Sequence, residues 1–367
     1  MTINYGIIGT GYFGAELGRA LARLDGAKVL GVFDPANAVQ CARELGAEIF
    51  ASADALINDP RIDAVVVASP NNQHVEPVLA AARAGKAIFA EKPIALNYAD
   101  CRAMVDAARE AGVVFMAGHV MNFMNGVRLA KRIIAEGRLG RVLHVRAART
   151  GWEAEQPVAT WKKVRALSGG HLYHHIHELD CVQSILGPAR FATMVGGNVA
   201  HRGIDDVDDM LLIQLQFDDA FATLEYGSAF HWPEHHVLIQ GELGAIMIDL
   251  QEVGVTVRIG DEEETHLLHR TPEEDRQRAD IYASLTTTDG AVQYGHPDEE
   301  PPLWLAGIVE EEMTYFHGLM QGEPIAQEFA KLSDGTAAME AIATADACTL
   351  SMKENRKVAI AEITQAV

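Results

Sequence analysis

The sequence predicts an α/β architecture: a doubly wound parallel sheet first, then an α+β domain on a large, mostly antiparallel open sheet. Three observations carry this. The chain opens on an apolar run that breaks into Gly9-x-Gly11-x-x-Gly14 and continues as an Ala/Leu-rich helix pattern. Short apolar runs and helix patterns then alternate up to Ala117. Beyond His119 the character changes to long runs of alternating apolar and polar residues.

Tyr5–Ile8 reads as a buried strand and Ala15–Leu24 as the helix after the turn. In Gly9-Thr10-Gly11-Tyr12-Phe13-Gly14, the first glycine suits the tight turn and the second lets backbone approach a pyrophosphate. The third lets the helix lie close on the sheet. Free N–H groups at that helix start favour phosphate. The next apolar run, Lys28–Phe33, ends in Asp34, where a carboxylate meets the adenosine ribose diol. Pro35-Ala36-Asn37 offers no arginine for a 2′-phosphate, so the expected cofactor is NAD in preference to NADP.

A helix is expected at roughly 36–46, a weak one near Ala53–Asn58, and a β-branched parallel strand over Ile62–Ala68. Helix 74–85 ends at Gly85, strand Ala87–Ala90 runs into Glu91-Lys92-Pro93, helix 98–111 ends at Gly112, and strand Val113–Ala117 closes the set. The expected domains are 1–121 and 122–367. In the second, a helix near Gly126–Glu136 leads to strand Val142–Ala148, and one helix covers His171–Leu186. Strands follow at Met210–Phe217, Ala220–Tyr226, Val237–Gln240, Ala245–Asp249 and Val255–Ile259. Asp261–Pro302, acidic and weakly periodic, reads as a long surface excursion, and helices near Trp304–Met320 and Thr336–Lys353 finish the chain.

Bulk composition narrows the function. With 367 residues and 49% apolar content, two domains with sizeable cores are expected. A formal charge of −21 disfavours nucleic acid and anionic lipid as partners. Cys41, Cys101, Cys181 and Cys348 are far apart and form no CxxC pair, which suits a reducing cytosol. The first strand begins almost at Met1, leaving no room for a signal peptide, and no apolar run approaches a membrane span. The expected location is the cytoplasm.

Several motifs together resemble the Gfo/Idh/MocA oxidoreductases, the glucose–fructose oxidoreductase and inositol dehydrogenase group. They are Gly9–Gly14, Ser69-Pro70-Asn71-x-x-His74, Glu91-Lys92-Pro93, Gly118-His119-Val120, Gly169-Gly170 before His177-x-x-Asp180, and Asp334-Gly335-x-x-Ala338. The resemblance implies an N-terminal Rossmann domain and hydride transfer between NAD and a secondary hydroxyl of a sugar, sugar derivative or cyclitol. It also implies dimers or tetramers formed through the C-terminal sheets. It places the Gly9–Gly14 loop, Asp34, Ser69, Pro70, Asn71, His74, Glu91 and Lys92 at the cofactor, with a cis peptide before Pro93. Two positions depart from the family pattern: Tyr173 stands where an Asp is common, and Asn122 where an Arg is common.

Oxidising a secondary alcohol needs a base for its proton and a cation or donor for its oxygen. His177 is the candidate base and Lys92 the candidate cation. Asp180, one turn past His177, either orients its ring or makes an ordinary helix contact. Tyr173, one turn before His177 on the expected helix, either relays a proton or holds a substrate hydroxyl, or it packs. Asn122 and Trp161, with Met121 and His174, are candidates for the substrate wall. His171, His174, His175 and His177 raise the question of a metal, but Cys181 stands where a metalloprotease pattern needs His, and hydride transfer needs none. No metal is expected. Phe230–His236 suits either a sugar face or a strand edge at a subunit interface. Two other functions stay open: a glycoside hydrolase that uses transient oxidation by bound NAD, and a non-catalytic sensor of NAD or sugar.

Overall fold

The computed structural model describes residues 2–153, 161–201, 206–284 and 300–366. In chain order the first elements are β1 (Ile3–Ile8), α1 (Tyr12–Ala22), β2 (Ala27–Phe33), α2 (Ala38–Leu45), β3 (Glu48–Ile49) and α3 (Ala53–Ile57). Next come β4 (Ala64–Val67), α4 (Val75–Arg83), β5 (Ala87–Glu91), α5 (Tyr98–Ala111) and β6 (Phe115–Gly118). Then follow α6 (Asn125–Ala135), β7 (Val142–Trp152), α7 (Arg165–Ser168), α8 (His171–His174), α9 (His177–Leu186), β8 (Phe191–Gly197), β9 (Met210–Gln216) and β10 (Phe221–Gly227). The remainder comprises β11 (Ala229–Gly241), β12 (Gly244–Asp249), β13 (Gly254–Ile259), β14 (Glu262–His266), α10 (Pro272–Ser284), α11 (Leu303–Met320), α12 (Ala330–Ser333), α13 (Thr336–Glu354), β15 (Val358–Ala359) and α14 (Ile360–Thr364).

The chain forms two compact units. The first takes the residues up to Val120 together with the described part of Gln293–Met339. Its sheet is parallel, in the order β3-β2-β1-β4-β5-β6, with the change of direction at β1/β4. Every residue of β4 and β5 is buried, as a strand covered on both faces requires. Helix starts and stops follow side-chain chemistry. Ser52 accepts from the Ala55 amide at 3.0 Å and Asn97 from that of Asp100 at 2.9 Å. Gly112 ends α5 at φ +65°, a conformation that β-carbons disfavour.

The expected domains had one crossing, at 121/122. Here the chain re-enters the first unit, because α11 is apolar where it meets β1 and β5. Phe316 packs on Tyr5 and Phe89 at 6.2 and 5.5 Å between ring centroids, and Tyr5 Oη and His317 Nδ1 lie 2.7 Å apart.

The second unit holds Met121–Val292 and Glu340–Val367, less the residues outside the described ones. Its nine strands run β14-β13-β12-β11-β7-β10-β9-β8-β15. All neighbours are antiparallel except β7 and β10, which are parallel. Strict alternation in β9 buries Leu211, Ile213 and Leu215 on one face.

Two expectations change here, the 261–302 excursion and the single helix over 171–186. The excursion 261–302 contains the edge strand β14 and the helix α10, although 285–299 lie outside the described residues. Both escaped notice because they are highly charged; charge on an edge strand blunts pairing with other chains. Phe230–His236 lies inside β11, whose register against β7 shifts between Ala229 and Glu234. The single helix over His171–Leu186 is two helices. His175 leaves the helical region at φ −106°, ψ 40°, so Tyr173 and His177 do not share a helical face.

Candidate active-site residues

In the first unit, Gly9 has φ +89°, and a β-carbon there would lie 2.4 Å from the Ser69 amide nitrogen. A β-carbon on Gly14 would lie 2.0 Å from the Gly9 carbonyl oxygen, so this glycine allows the close approach of α1 to the loop. Gly11 differs: the position of its missing β-carbon is open space. Tyr12 and Phe13 follow, half-buried, in the first turn of α1. Asp34 is fixed at the end of β2, accepting from the backbone amides of Thr10, Ala36 and Asn37 at 2.8 Å each. Two carboxylate oxygens retain acceptor capacity beyond three such bonds. Thr10 Oγ1 is buried and has no hydrogen-bond partner among the described residues. A free approach at Gly11, a rigidly held carboxylate and an orphaned hydroxyl fit a dinucleotide.

The opposite side of the switch point is built by β4 and β5. The half-buried Ser69 donates its hydroxyl to the Gln73 carbonyl at 3.3 Å, Pro70 leads into a short 3-10 turn, and Asn71 is buried. His74 is buried with Nε2 2.7 Å from the Ser69 carbonyl oxygen and Nδ1 3.0 Å from that of Pro93. Burial pushes its pKa down, so a neutral ring has one N–H to give to these two acceptors. It ties the loop after β4 to the loop after β5. Lys92 is half-buried and its peptide to Pro93 is cis, as the resemblance implied. Its backbone amide donates to Glu91 Oε2 at 3.1 Å. Glu91 is itself buried, and burial pushes its pKa up to about 8 against the pull of Lys92.

In the second unit a buried chain of polar groups surrounds α9. Lys131 of α6 donates to Asn122 Oδ1 at 2.6 Å, and the Asn122 amide donates to Asp180 Oδ2 at 2.7 Å. Asn122 therefore joins an ammonium group to Asp180. Tyr173, on α8, donates its hydroxyl to Asp346 of α13. Burial and the Asp346 charge both push the phenol well above its usual range, keeping it protonated. His177 begins α9, and the next residue, Glu178, is fully buried. Glu178 Oε1 accepts from His235 Nε2 at 3.0 Å and lies 3.5 Å from Arg149 Nη1. Burial works to raise Glu178, but Arg149 and His235 outweigh it and hold the carboxyl below its usual range. His235 is pushed down to about 4, chiefly by burial. As a neutral ring it donates from Nε2, so its Nδ1 accepts from the Tyr282 hydroxyl at 2.9 Å.

The histidine cluster is a set of rings. His175 lies edge-on to His171 and His174 at 5.4 and 4.8 Å, and Trp161 lies edge-on to His174 at 5.7 Å. Burial, with Lys163 and Arg149 nearby, pushes His171 down to about 3. Among the described residues no group of His, Cys, Asp and Glu is placed to hold a metal ion. His231 stacks on Trp152 at 3.8 Å, while His235 and His236 are buried, so Phe230–His236 divides between two environments. Sequence reasoning missed Lys131, Asp346, Arg149 and Glu178, and noted His235 only as part of Phe230–His236. Glu178, beside His177, carried a local signal.

Two family descriptions match. An oxidoreductase-family NAD-binding Rossmann fold covers residues 3–119, and an oxidoreductase-family C-terminal α/β domain covers 131–360. The chain belongs to the Gfo/Idh/MocA oxidoreductase family. Its N-terminal domain is accordingly an NAD-binding Rossmann domain. The chain is 52% identical to a 2,7-anhydro-N-acetylneuraminate hydratase of Mediterraneibacter gnavus, covering 99% of this chain and 98% of that one. It is 50% identical to a protein of the same name from Escherichia coli K12, over 98% of each chain. Among solved structures, a levoglucosan dehydrogenase in complex with NADH and levoglucosan shares the fold at TM-score 0.80 and 22% identity, over 98% of this chain and 100% of that one. Among the described residues no helix is long and apolar enough to cross a membrane.

Proposed function

We propose that this chain hydrates the internal bridge of a 2,7-anhydro sialic acid, with NAD used and regenerated within each turnover. The observation that carries the reading is the end-to-end similarity, at 52% and 50% identity, to two proteins named for that hydration. It favours the transient-oxidation alternative over net dehydrogenation of a sugar or cyclitol.

The chemistry explains why a hydride-transfer family suits a hydration. The bridge oxygen leaves from C2 of the sugar, which bears no hydrogen. Elimination across C2–C3 needs a proton from the C3 methylene, and that proton is acidic only beside a carbonyl at C4. When bound, NAD supplies the temporary oxidation of the C4 carbinol and its reversal. The Gly9–Gly14 loop, Asp34, Ser69, Pro70, Asn71, His74 and Glu91 are assigned to holding it.

His177 takes the C4 hydroxyl proton and later returns it. Lys92 holds the C4 oxygen as negative charge gathers there. Tyr173, whose one O–H is given to Asp346, is assigned to accepting from a substrate hydroxyl. Asp180, through Asn122 and Lys131, fixes the polar wall that Trp161 and His174 extend. In the elimination C3 gives up a proton as O7 gains one, and water then adds its hydroxyl to C2 and its proton to C3. The balance is one water consumed and NAD unchanged.

The test is purified protein with 2,7-anhydro-N-acetylneuraminate and catalytic NAD, following free N-acetylneuraminate by chromatography and NADH by absorbance. Sugar release without accumulating NADH is expected. Stoichiometric NADH, or no release with NAD bound, overturns the reading.

We also infer that the second unit self-associates through the open face of its sheet. On adjacent strands that face presents Phe191 and Phe221, 37% and 60% exposed, and Val195 beside Leu212. A monomer in light scattering at micromolar concentration would refute this.

A further inference from the structure

Glu312 is a buried polar side chain of the first unit that the chemistry above leaves unused. It lies in the middle of α11, is fully buried, and neither carboxyl oxygen has a hydrogen-bond partner among the described residues. Such a group calls for an explanation, because a bare buried carboxylate is costly. The register of α11 on β5 supplies one. Phe316 packs on Phe89 at 5.5 Å. Glu312 is one helical turn before Phe316, and Glu91 is two residues past Phe89 on the same face of β5. A helical turn and a two-residue strand step have nearly the same length. His317 Nε2 lies 3.1 Å from the carbonyl oxygen of Asp25, before β2, so α11 runs against the strands and carries Glu312 over Glu91. The next strand makes room: a β-carbon on Gly118 would lie 2.8 Å from Glu91 Oε1 and 3.0 Å from Phe89 Cζ.

Two carboxyls in one dry space cannot both be charged. Burial and the Glu91 charge push Glu312 well above its usual range, and burial pushes Glu91 to about 8. One Glu91 oxygen, Oε2, is occupied by the Lys92 amide, while Oε1 is buried and has no partner among the described residues.

We propose that Glu312 is a positioning residue for Lys92: it shares a proton with Glu91 and so holds the Glu91 carboxyl on the Lys92 backbone amide. The value of this placement to turnover rests on the role given to Lys92 above, but the placement itself does not.

The test therefore reads no turnover. Hydrogen exchange of the Lys92 amide is compared in the wild type, E312Q and E312L. Glutamine still donates to Glu91 from its amide; leucine cannot. Losing one such anchoring bond is expected to speed Lys92 exchange about tenfold in E312L, while E312Q stays near the wild type and β1 is unchanged in both. Unchanged exchange in E312L, or E312Q exchanging as E312L does, overturns the proposal. A second measurement covers an E312L that does not fold. At pH 9, above the value of about 8 for Glu91, the wild type should show the infrared carbonyl stretch of a buried protonated carboxyl, and E312Q should lack it. The same band in both, or in neither, overturns the proposal.

Discussion

Replacing Glu178 with alanine tests the buried network of the second unit. The carboxylate is fully buried between Arg149, whose side chain is 14% exposed, and His235, 4% exposed. Removing it takes the carboxylate from a buried guanidinium and leaves an imidazole N–H unsatisfied. Breaking one partner of a buried ion pair costs about 3–5 kcal/mol. A unit of about 200 residues moves by about 2–4 °C per kcal/mol, so its melting transition should fall by roughly 10 °C. E178Q keeps an acceptor for His235 and loses only the charge, so it should fall between. Calorimetry at pH 7 reads both. The same network sets an acid limit. His235 titrates near 4 in the fold, against about 6.5 when unfolded. Below the higher value the unfolded chain binds a proton that the folded chain refuses, so stability is lost as pH falls from about 6.5 to about 4. The slope is at most about 1.4 kcal/mol per pH unit for this one group. H235Q should flatten that slope. A shift below about 2 °C in E178A, or an unchanged acid slope in H235Q, would refute the reasoning.

Two further predictions concern the cofactor loop. Gly14→Ala drives a methyl against the Gly9 carbonyl and should destabilise the first unit by about 1–3 kcal/mol or more, whereas Gly11→Ala meets open space and should melt like the wild type while weakening NADH binding, read by fluorescence titration. Asp34→Ala removes the acceptor of three backbone amides and should weaken NAD at least about tenfold while narrowing its advantage over NADP, measured as the ratio of the two dissociation constants.

The sequence was most readable where chemistry is local. The glycine spacing, the acid at the end of β2 and the β-branched runs of β4 each point to one conformation, and those conformations are present. Readability failed where the partner is distant in sequence. An apolar helical pattern announces α11, but nothing in it says that Phe316 packs on Tyr5 and Phe89 rather than on the strands that precede it. The bend at His175–Ile176 has neither glycine nor proline to mark it. Tyr173 looked like a neighbour of His177 by helical spacing; its hydroxyl instead reaches Asp346, 173 positions away. Arg278 is buried in α10, a helix so polar that its pattern suggested a loop.

The late return of α11 bears on how the protein is made. During synthesis the β1–β6 sheet leaves the ribosome with Tyr5 and Phe89 uncovered, because the residues that cover them lie at 316 and 317. At 5–20 residues per second, about 200 further residues take roughly 10–40 s to appear. For that interval the nascent Rossmann domain has an open apolar seam and His317 is not yet available to the Tyr5 hydroxyl. The N-terminal domain begins first but is finished almost last, and a chain that stalls in between displays the surface that chaperones bind.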